Sequence, residues 1–165
     1  MGKFTMTHEI ACSEDTFWKL FWDKEMNTAM FKHLQFPAWE LLGVEETDTK
    51  KIRRIKATPK MDAPGPVAKL LGSSFGYTEV GTFDKATKLF KFVITPTTLA
   101  DKMKNEGTIK IEPIGPDKCR RVVDILAEAK IFGIGGMVES SLEKSYRTGW
   151  GESANFIGKW AKEHP

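Results

Sequence analysis

The sequence predicts an α+β fold in which a curved antiparallel sheet of about six to seven strands packs around a long C-terminal helix. Three observations predict it. Runs of alternating apolar and polar residues recur between 38 and 131, apolar residues at helical spacing occupy 14–34, and a second helical pattern follows Gly133. A chain of 165 residues buries enough surface to fold without metal or disulfide staples, so we expect one domain spanning 1–165.

The chain opens with a strand and two short helices. Residues 4–10 alternate, as a half-buried strand does. Ser13 then precedes a helical segment at 14–22 and is expected to cap it, with acidic residues in the first turn. Asp23 is expected to cap a second helix, which runs from Lys24 to about Leu34.

The middle of the chain reads as a sheet interrupted once. Polar corners and Gly or Pro residues separate its alternating runs. The loop 59–72 carries one or two helical turns around Val67–Leu71. It is either a candidate lid whose apolar tip touches a membrane or ordinary packing over the open end of the fold. The predicted strands are 39–46, 52–58, 75–83, 88–95, 103–113 and 120–131.

The long helix, from about Met137 to Lys162, has a gap in its apolar face. Ser145, Gly149 and Ser153 follow one another at four-residue spacing between bulky ends. A helical glycine costs roughly 1 kcal/mol against alanine, so something should compensate. Either a bulky sheet residue such as Tyr77 fills the gap, or a cavity lies between helix and sheet.

Composition and the scattered titratable residues exclude several functional classes. The chain has 25 Lys plus Arg and 22 Asp plus Glu, interspersed, which does not indicate a nucleic-acid partner. Its three histidines lie far apart, so we expect no catalytic residue, metal or cofactor. Cys12 and Cys119 are distant in sequence and indicate neither zinc nor a disulfide. The first residues lack an apolar signal core, which predicts a cytoplasmic location.

Two stretches resemble a known superfamily. Residues 131–139, a glycine-rich strand-to-helix junction, and residues 17–23 after the first strand are similar to segments of the START-like helix-grip proteins, which include polyketide cyclases and lipid-transfer proteins. The resemblance covers nearly the whole chain and is greatest to a stand-alone branch. It implies a hydrophobic ligand held between sheet and helix, and it makes the cavity the favoured explanation of the gap.

The resemblance also implies which residues line that cavity. Strand alternation and the helix face select Trp39, Tyr77, Glu79, Phe90, Phe92, Ser145, Gly149 and Ser153. Every bulky member has the alternative role of an ordinary core residue. Glu79 and Arg54 are candidate polar groups for a sterol hydroxyl or a carboxylate, although each is more typical of an exposed strand face.

Three functions follow from these features. The leading hypothesis is non-catalytic binding, with intracellular transfer or sensing, of a lipid-like ligand such as a sterol or fatty acyl compound, and with transient membrane contact. The second is a cyclase or aromatase in which Tyr77 or Glu79 moves protons. The third is an interaction module similar to chaperone activators, with a filled core and a functional outer surface.

Overall fold

The computed structural model describes residues 2–60, 63–72 and 75–165. Seven strands form one antiparallel sheet in the order β1-β7-β6-β5-β4-β3-β2, so β1 and β2 are its edges. In chain order the elements are β1 (Lys3–Ile10), α1 (Glu14–Trp22), α2 (Lys24–His33), β2 (Ala38–Glu46), β3 (Lys50–Thr58), α3 (Gly65–Leu71), β4 (Tyr77–Asp84), β5 (Leu89–Pro96), β6 (Met103–Gly115), β7 (Lys118–Ala129) and α4 (Gly135–Glu163).

Local sequence explains where the first helices begin. The Ser13 hydroxyl accepts a hydrogen bond from the Thr16 amide, and the Asp23 carboxylate accepts one from the Glu25 amide. Such bonds satisfy amides that the first turn of a helix leaves without partners. Both predicted caps are therefore confirmed.

Two glycines let aromatic rings lie against the inner face of the sheet. A Cβ at Gly81 would stand 1.9 Å from Cζ of Phe90, and one at Gly107 would stand 2.6 Å from Cζ of Phe92. Both separations are shorter than any real contact. The two rings therefore occupy the places that side chains at these strand positions would take, and a layer of aromatic rings covers this part of the sheet.

Helix α4 crosses the same inner face and packs closest to β1 and β7. Near its end the backbone meets the β1–α1 connection, where a Cβ at Gly158 would lie 3.1 Å from the Ala11 amide nitrogen. Near its beginning, Val138 is fully buried in a cluster with Val67 and Leu71 of α3. Thus α4 is held at both ends by different elements.

The predicted fold class and element order are confirmed, with small shifts at the boundaries. The last strand ends at Ala129 instead of Ile131, and α4 begins at Gly135, two residues earlier than predicted. Strand β4 begins at Tyr77 because Phe75 packs beneath α3. Part of the predicted lid loop, residues 61 and 62, lies outside the described residues.

The two cysteines, which are distant in sequence, lie close together in the fold, and both are free thiols. Strand β1 pairs with β7 so that Ile10 faces Cys119, and Cys12 follows two residues later. The two buried thiols hydrogen-bond to each other, which raises the pKa of Cys12 and lowers that of Cys119. Sequence separation hid this contact because it depends on pairing of the first strand with the last.

Candidate functional site

The middle of α4 packs on the sheet through Tyr146 and Trp150, but it borders open space at Gly149. Helix α3 packs near its beginning, and His33 of α2 stacks on Phe156 nearer its end, with ring centroids 5.1 Å apart. Between these supports, a Cβ added at Gly149 would meet no atom within 4 Å. Close packing of a sheet residue against Gly149, one of the two explanations for the gap, is therefore wrong.

The three small residues of the predicted gap have three different environments. Gly149 borders open space, Ser145 is exposed, and Ser153 is buried. Their four-residue spacing drifts around the helix by about 40° per step, so the three cannot share one line. The sheet-facing side is instead centred near Tyr146, and the placement of Ser145 in the lining set is corrected.

Ser153 is small because it accommodates a buried arginine that sequence reasoning missed. Nη2 of Arg121 donates to the Ser153 hydroxyl at 3.0 Å and to the Trp150 carbonyl oxygen at 2.7 Å. The guanidinium also lies over the Trp150 ring, 4.9 Å from its centroid. Alternation could have found it, because Arg121 shares a strand face with Val123 and Ile125.

One row of residues on the inner face of the sheet, beside the middle of α4, contains two polar side chains. Register aligns Ile55, Glu79, Ile94, Asn105 and Ala127 across five neighbouring strands. Glu79 and Asn105 are both buried, at 9% and 6% exposure. Polar side chains are seldom buried to this degree without hydrogen-bond partners, so their contacts identify what this row does.

Glu79 forms an ion pair with an arginine from the neighbouring strand. Nη2 of Arg53 lies 3.2 Å from Oε1 of Glu79, and Nη1 donates to the Phe21 carbonyl oxygen at 3.0 Å. The expectation that Glu79 lies on an exposed strand face is therefore wrong, because its side chain is buried. The other candidate polar group, Arg54, points outward and pairs with Glu45 at 2.7 Å.

Two tyrosines lie near this row, one on the sheet and one on α4. Tyr77 projects from β4, and Tyr146 projects from α4, where its hydroxyl accepts a hydrogen bond from Nδ2 of Asn105 at 2.5 Å. Burial, and secondarily the charge of Glu79, raises the pKa of Tyr77 and also that of Tyr146. Both hydroxyls are therefore protonated at neutral pH and able to donate.

The predicted aromatic lining residues divide between crevice wall and core. Trp39 is half-buried in a row with Ala57 and Tyr77, and its ring stacks on Phe31 at 5.3 Å. By contrast, Phe90 is fully buried and Phe92 is 2% exposed, both within the main apolar cluster. Phe90 thus belongs to the core, while Phe92 reaches the helix by stacking on Trp150.

Two surface depressions lie away from Gly149. One, of about 620 Å³, is on the outer face of the sheet over Gly107, with Lys91, Glu106 and Asp124 on its walls. The other, of about 360 Å³, runs along the exposed side of α4 beside Lys144. Gly149 lines neither depression, so the open space beside it, called the crevice here, is a separate feature.

Two further classes of site were searched in the described residues. Within 2–60, 63–72 and 75–165, no three His, Cys, Asp or Glu side chains come together as a metal site would require. No described helix is long and apolar enough to cross a membrane.

Comparison with known proteins places the chain in a family. A family model described as "Protein of unknown function (DUF2505)" matches residues 5–161. The chain belongs to this family. No curated protein matches the sequence of this DUF2505 member.

Solved structures place the fold. The Zhui aromatase/cyclase from Streptomyces sp. R1128 matches with a TM-score of 0.67 at 13% identity, covering 98% of this chain and 93% of the other. A START superfamily protein from Mycobacterium smegmatis gives 0.66 at 16% identity, covering 96% and 98%. Norcoclaurine synthase from Thalictrum flavum, in complex with dopamine and hydroxybenzaldehyde, gives 0.62 at 20% identity, covering 99% and 87%. The DUF2505 chain therefore has the START-like helix-grip fold.

Proposed function

We propose that this DUF2505 protein binds a hydrophobic, lipid-like small molecule in the crevice between α4 and the sheet. The observation that carries the proposal is the open space at Gly149. It lies between the parts of α4 that contact α3 and α2, one helical turn after Tyr146, whose hydroxyl bonds to the buried Asn105. Concave apolar sites with a few convergent polar groups are typical of small-molecule binding.

The comparisons support this proposal through the shared fold. One structural neighbour is a START superfamily protein, and another holds two aromatic small molecules. For this chain we propose a sterol or fatty acyl compound, bound for intracellular transfer or sensing. Desolvation of apolar surface would supply most of the affinity, at about 25 cal/mol per Å² before ordering costs.

The first test is native mass spectrometry of freshly purified protein, followed by solvent extraction and identification of the released molecules. We expect a stoichiometric hydrophobic compound, or uptake of one from a panel of fluorescent sterols and fatty acyl probes. A protein that carries nothing and takes up nothing would contradict the proposal and favour the interaction module with a functional outer surface.

A matched pair of helix variants locates the site. Gly149→Leu places a bulky side chain in the crevice, whereas Gly151→Leu makes the same substitution two residues away, where a Cβ also meets nothing within 4 Å. Gly151 lies about 200° further around the helix, away from the sheet. We expect Gly149→Leu to abolish binding and Gly151→Leu to preserve it. Equal affinities would place the site elsewhere.

Transfer requires contact with a membrane, and the described residues offer a different contact from the predicted lid. Val67 and Leu71 of α3 are buried, whereas Phe132 is fully exposed at the junction before α4, with Met137 44% exposed nearby. We propose that Phe132 inserts transiently at the lipid interface. Phe132→Ser should slow transfer between vesicles without weakening binding, and Leu42→Ser, at another exposed apolar residue, should not.

A second candidate function is catalysis of the cyclase type. Tyr77, Glu79 and Tyr146 lie close enough for the carboxylate to raise the pKa of both phenols, so groups that exchange protons share one crevice. Tyr77→Phe or Glu79→Gln should then abolish turnover of a polyketide-like substrate while binding persists. Unchanged turnover would exclude this function.

A further inference from the structure

Asn105, buried on the inner face of the sheet, has an unused hydrogen-bonding atom. Its Nδ2 donates to Tyr146, but its Oδ1 has no hydrogen-bond partner among the described residues. Five buried side-chain atoms in the described chain share this condition, and the other four are nitrogen donors on Trp18, Trp39, Arg53 and Arg121. A buried acceptor without a partner costs about 1–3 kcal/mol, so a partner that supplies a donor is expected.

Tyr146 offers the complementary group beside it. Its hydroxyl oxygen accepts the bond from Asn105, which leaves the hydroxyl proton free to reach another acceptor. If the Asn105 amide is turned over, the roles of the two atoms exchange, but one end of the amide still lacks a partner. Together the two hydrogen-bonded side chains offer an acceptor and a donor at neighbouring positions.

A chemical group that both donates and accepts fits this pair, and a hydroxyl is the smallest one. A carboxylate has no proton to give Oδ1 of Asn105. It would also meet the negative charge of Glu79, which stands in the same row with only Ile94 between. The nearest cation, Arg53, already pairs with Glu79 and with the Phe21 carbonyl.

We infer that the Asn105–Tyr146 pair binds the hydroxyl group of a neutral, otherwise apolar ligand and selects against a carboxylate at that position. This inference rests on the proposed binding function and narrows its ligand class: an alcohol, such as a sterol or a fatty alcohol, is preferred over a free fatty acid. Tyr146 and Asn105 are the specificity-determining residues.

The test compares three head groups on two apolar frames. The probes are 1-hexadecanol, hexadecane and hexadecanoate delivered from methyl-β-cyclodextrin, and 2-naphthol, naphthalene and 2-naphthoate, each titrated at pH 7 by calorimetry or tryptophan fluorescence. On at least one frame, we expect the alcohol to bind roughly tenfold more tightly than the hydrocarbon, the equivalent of about 1.4 kcal/mol, and the carboxylate to bind most weakly.

Substitutions of Asn105 and Tyr146 test whether these two residues cause the preference for the alcohol. Asn105→Leu, of similar shape, should lower the affinity for the alcohol to that for the hydrocarbon, and Tyr146→Phe, which removes a single oxygen atom, should reduce the preference even if Asn105→Leu does not fold. The control Asn155→Leu changes an exposed asparagine of α4 and should retain the full preference.

The outcomes separate the two proposals. If the hydrocarbon binds as tightly as the alcohol, if the carboxylate binds more tightly, or if both variants keep the wild-type preference, the hydroxyl inference is overturned and ligand binding stands. If no probe of either frame binds the wild-type protein, the binding function itself fails, and the inference fails with it.

Discussion

The two ends of the grip interior are built on different principles. Toward the end of α4, rings from α1 and the sheet pack edge to face: Trp18 on Phe83 at 4.6 Å and Phe21 on Phe90 at 4.7 Å. Toward the middle of α4, the polar side chains of Glu79 and Asn105 lie on the inner face beside Tyr77 and Tyr146. The same sheet therefore supplies a dense aromatic core and, two inward-facing rows away, a polar region.

The difference shows where stability and selectivity reside. Aromatic pairs contribute about 0.5–1.5 kcal/mol beyond the burial of their surface, and tight packing leaves no room for a ligand. Buried polar groups stabilise little unless every atom is satisfied. The aromatic end is thus expected to determine the free energy of unfolding, and the crevice to determine which molecule binds.

Deletion of a ring at the aromatic end should have the largest effect. Phe90 is fully buried, so Phe90→Ala is expected to lower the free energy of unfolding by about 3–5 kcal/mol. At the crevice, Tyr77→Phe keeps the ring and removes one oxygen, and its effect should stay near 1 kcal/mol. Urea denaturation of both variants measures the difference. Similar losses would mean that the two regions are not distinct.

The buried ion pair should rank next. Glu79→Gln leaves the Arg53 guanidinium buried without its counter-charge, and we expect a loss of about 3 kcal/mol. The neighbouring pair of Arg54 and Glu45 is a matched control, because its side chains are 42% and 65% exposed. Glu45→Gln should therefore cost less than about 1 kcal/mol. Equal destabilisation would show that Glu79 is effectively solvated.

Two glycines should respond to alanine with opposite signs. At Gly81 the new methyl group would overlap the Phe90 ring, so Gly81→Ala is expected to destabilise by about 1–3 kcal/mol. At Gly149 the methyl enters open space, so Gly149→Ala should stabilise α4 by about 1 kcal/mol. Thermal unfolding distinguishes them, and a destabilising Gly149→Ala would mean that the crevice is closed in solution.

The smallest predicted effect is a dependence of stability on pH, which arises at His8, where β1 meets α4. Burial, followed by the charge of Arg121, lowers the pKa of His8 from 6.5 to about 4. Between these two pH values the unfolded chain binds more protons at this site, so stability falls as the pH falls from about 6.5 to 4.

Because His8 is half-exposed, its share of that loss should be about 1 kcal/mol or less. His8→Gln should flatten the dependence measured by urea denaturation between pH 7 and 4.5, while His33→Gln on α2 serves as the control. Identical slopes for the wild type and His8→Gln would contradict the assignment.

Periodicity predicted the fold because most of the chain obeys it. Inward residues of β7 such as Val123 and Ile125 are buried where alternation put them, and α4 begins within two residues of its predicted start. Alternation alone does not specify the topology. The resemblance of the glycine-rich junction at 131–139 to helix-grip proteins predicted it.

The buried polar groups were harder to predict, because a charged residue suggests an exposed position when its partner is distant in sequence. Alternation with Ile55 places Arg53 on the inner face of the sheet, whereas the predicted polar group was its neighbour Arg54. Only the β3–β4 register brings Arg53 to Glu79. The small residues of α4 were treated as one stripe, but the phase of the helix separates exposed Ser145 from buried Ser153. Such outcomes depend on tertiary packing and not on local pattern.

Pairing of the first strand with the last has a consequence for how the chain folds. Lys3 lies opposite Leu126, so β1 gains its only neighbour after more than a hundred further residues have been made. At a synthesis rate of roughly 5–20 residues per second, the apolar side of β1 and the rings of α1 remain without their packing partners on the ribosome for on the order of 6–25 s. Long-range pairing of this kind slows folding. During that interval this nascent chain is a candidate client for chaperones.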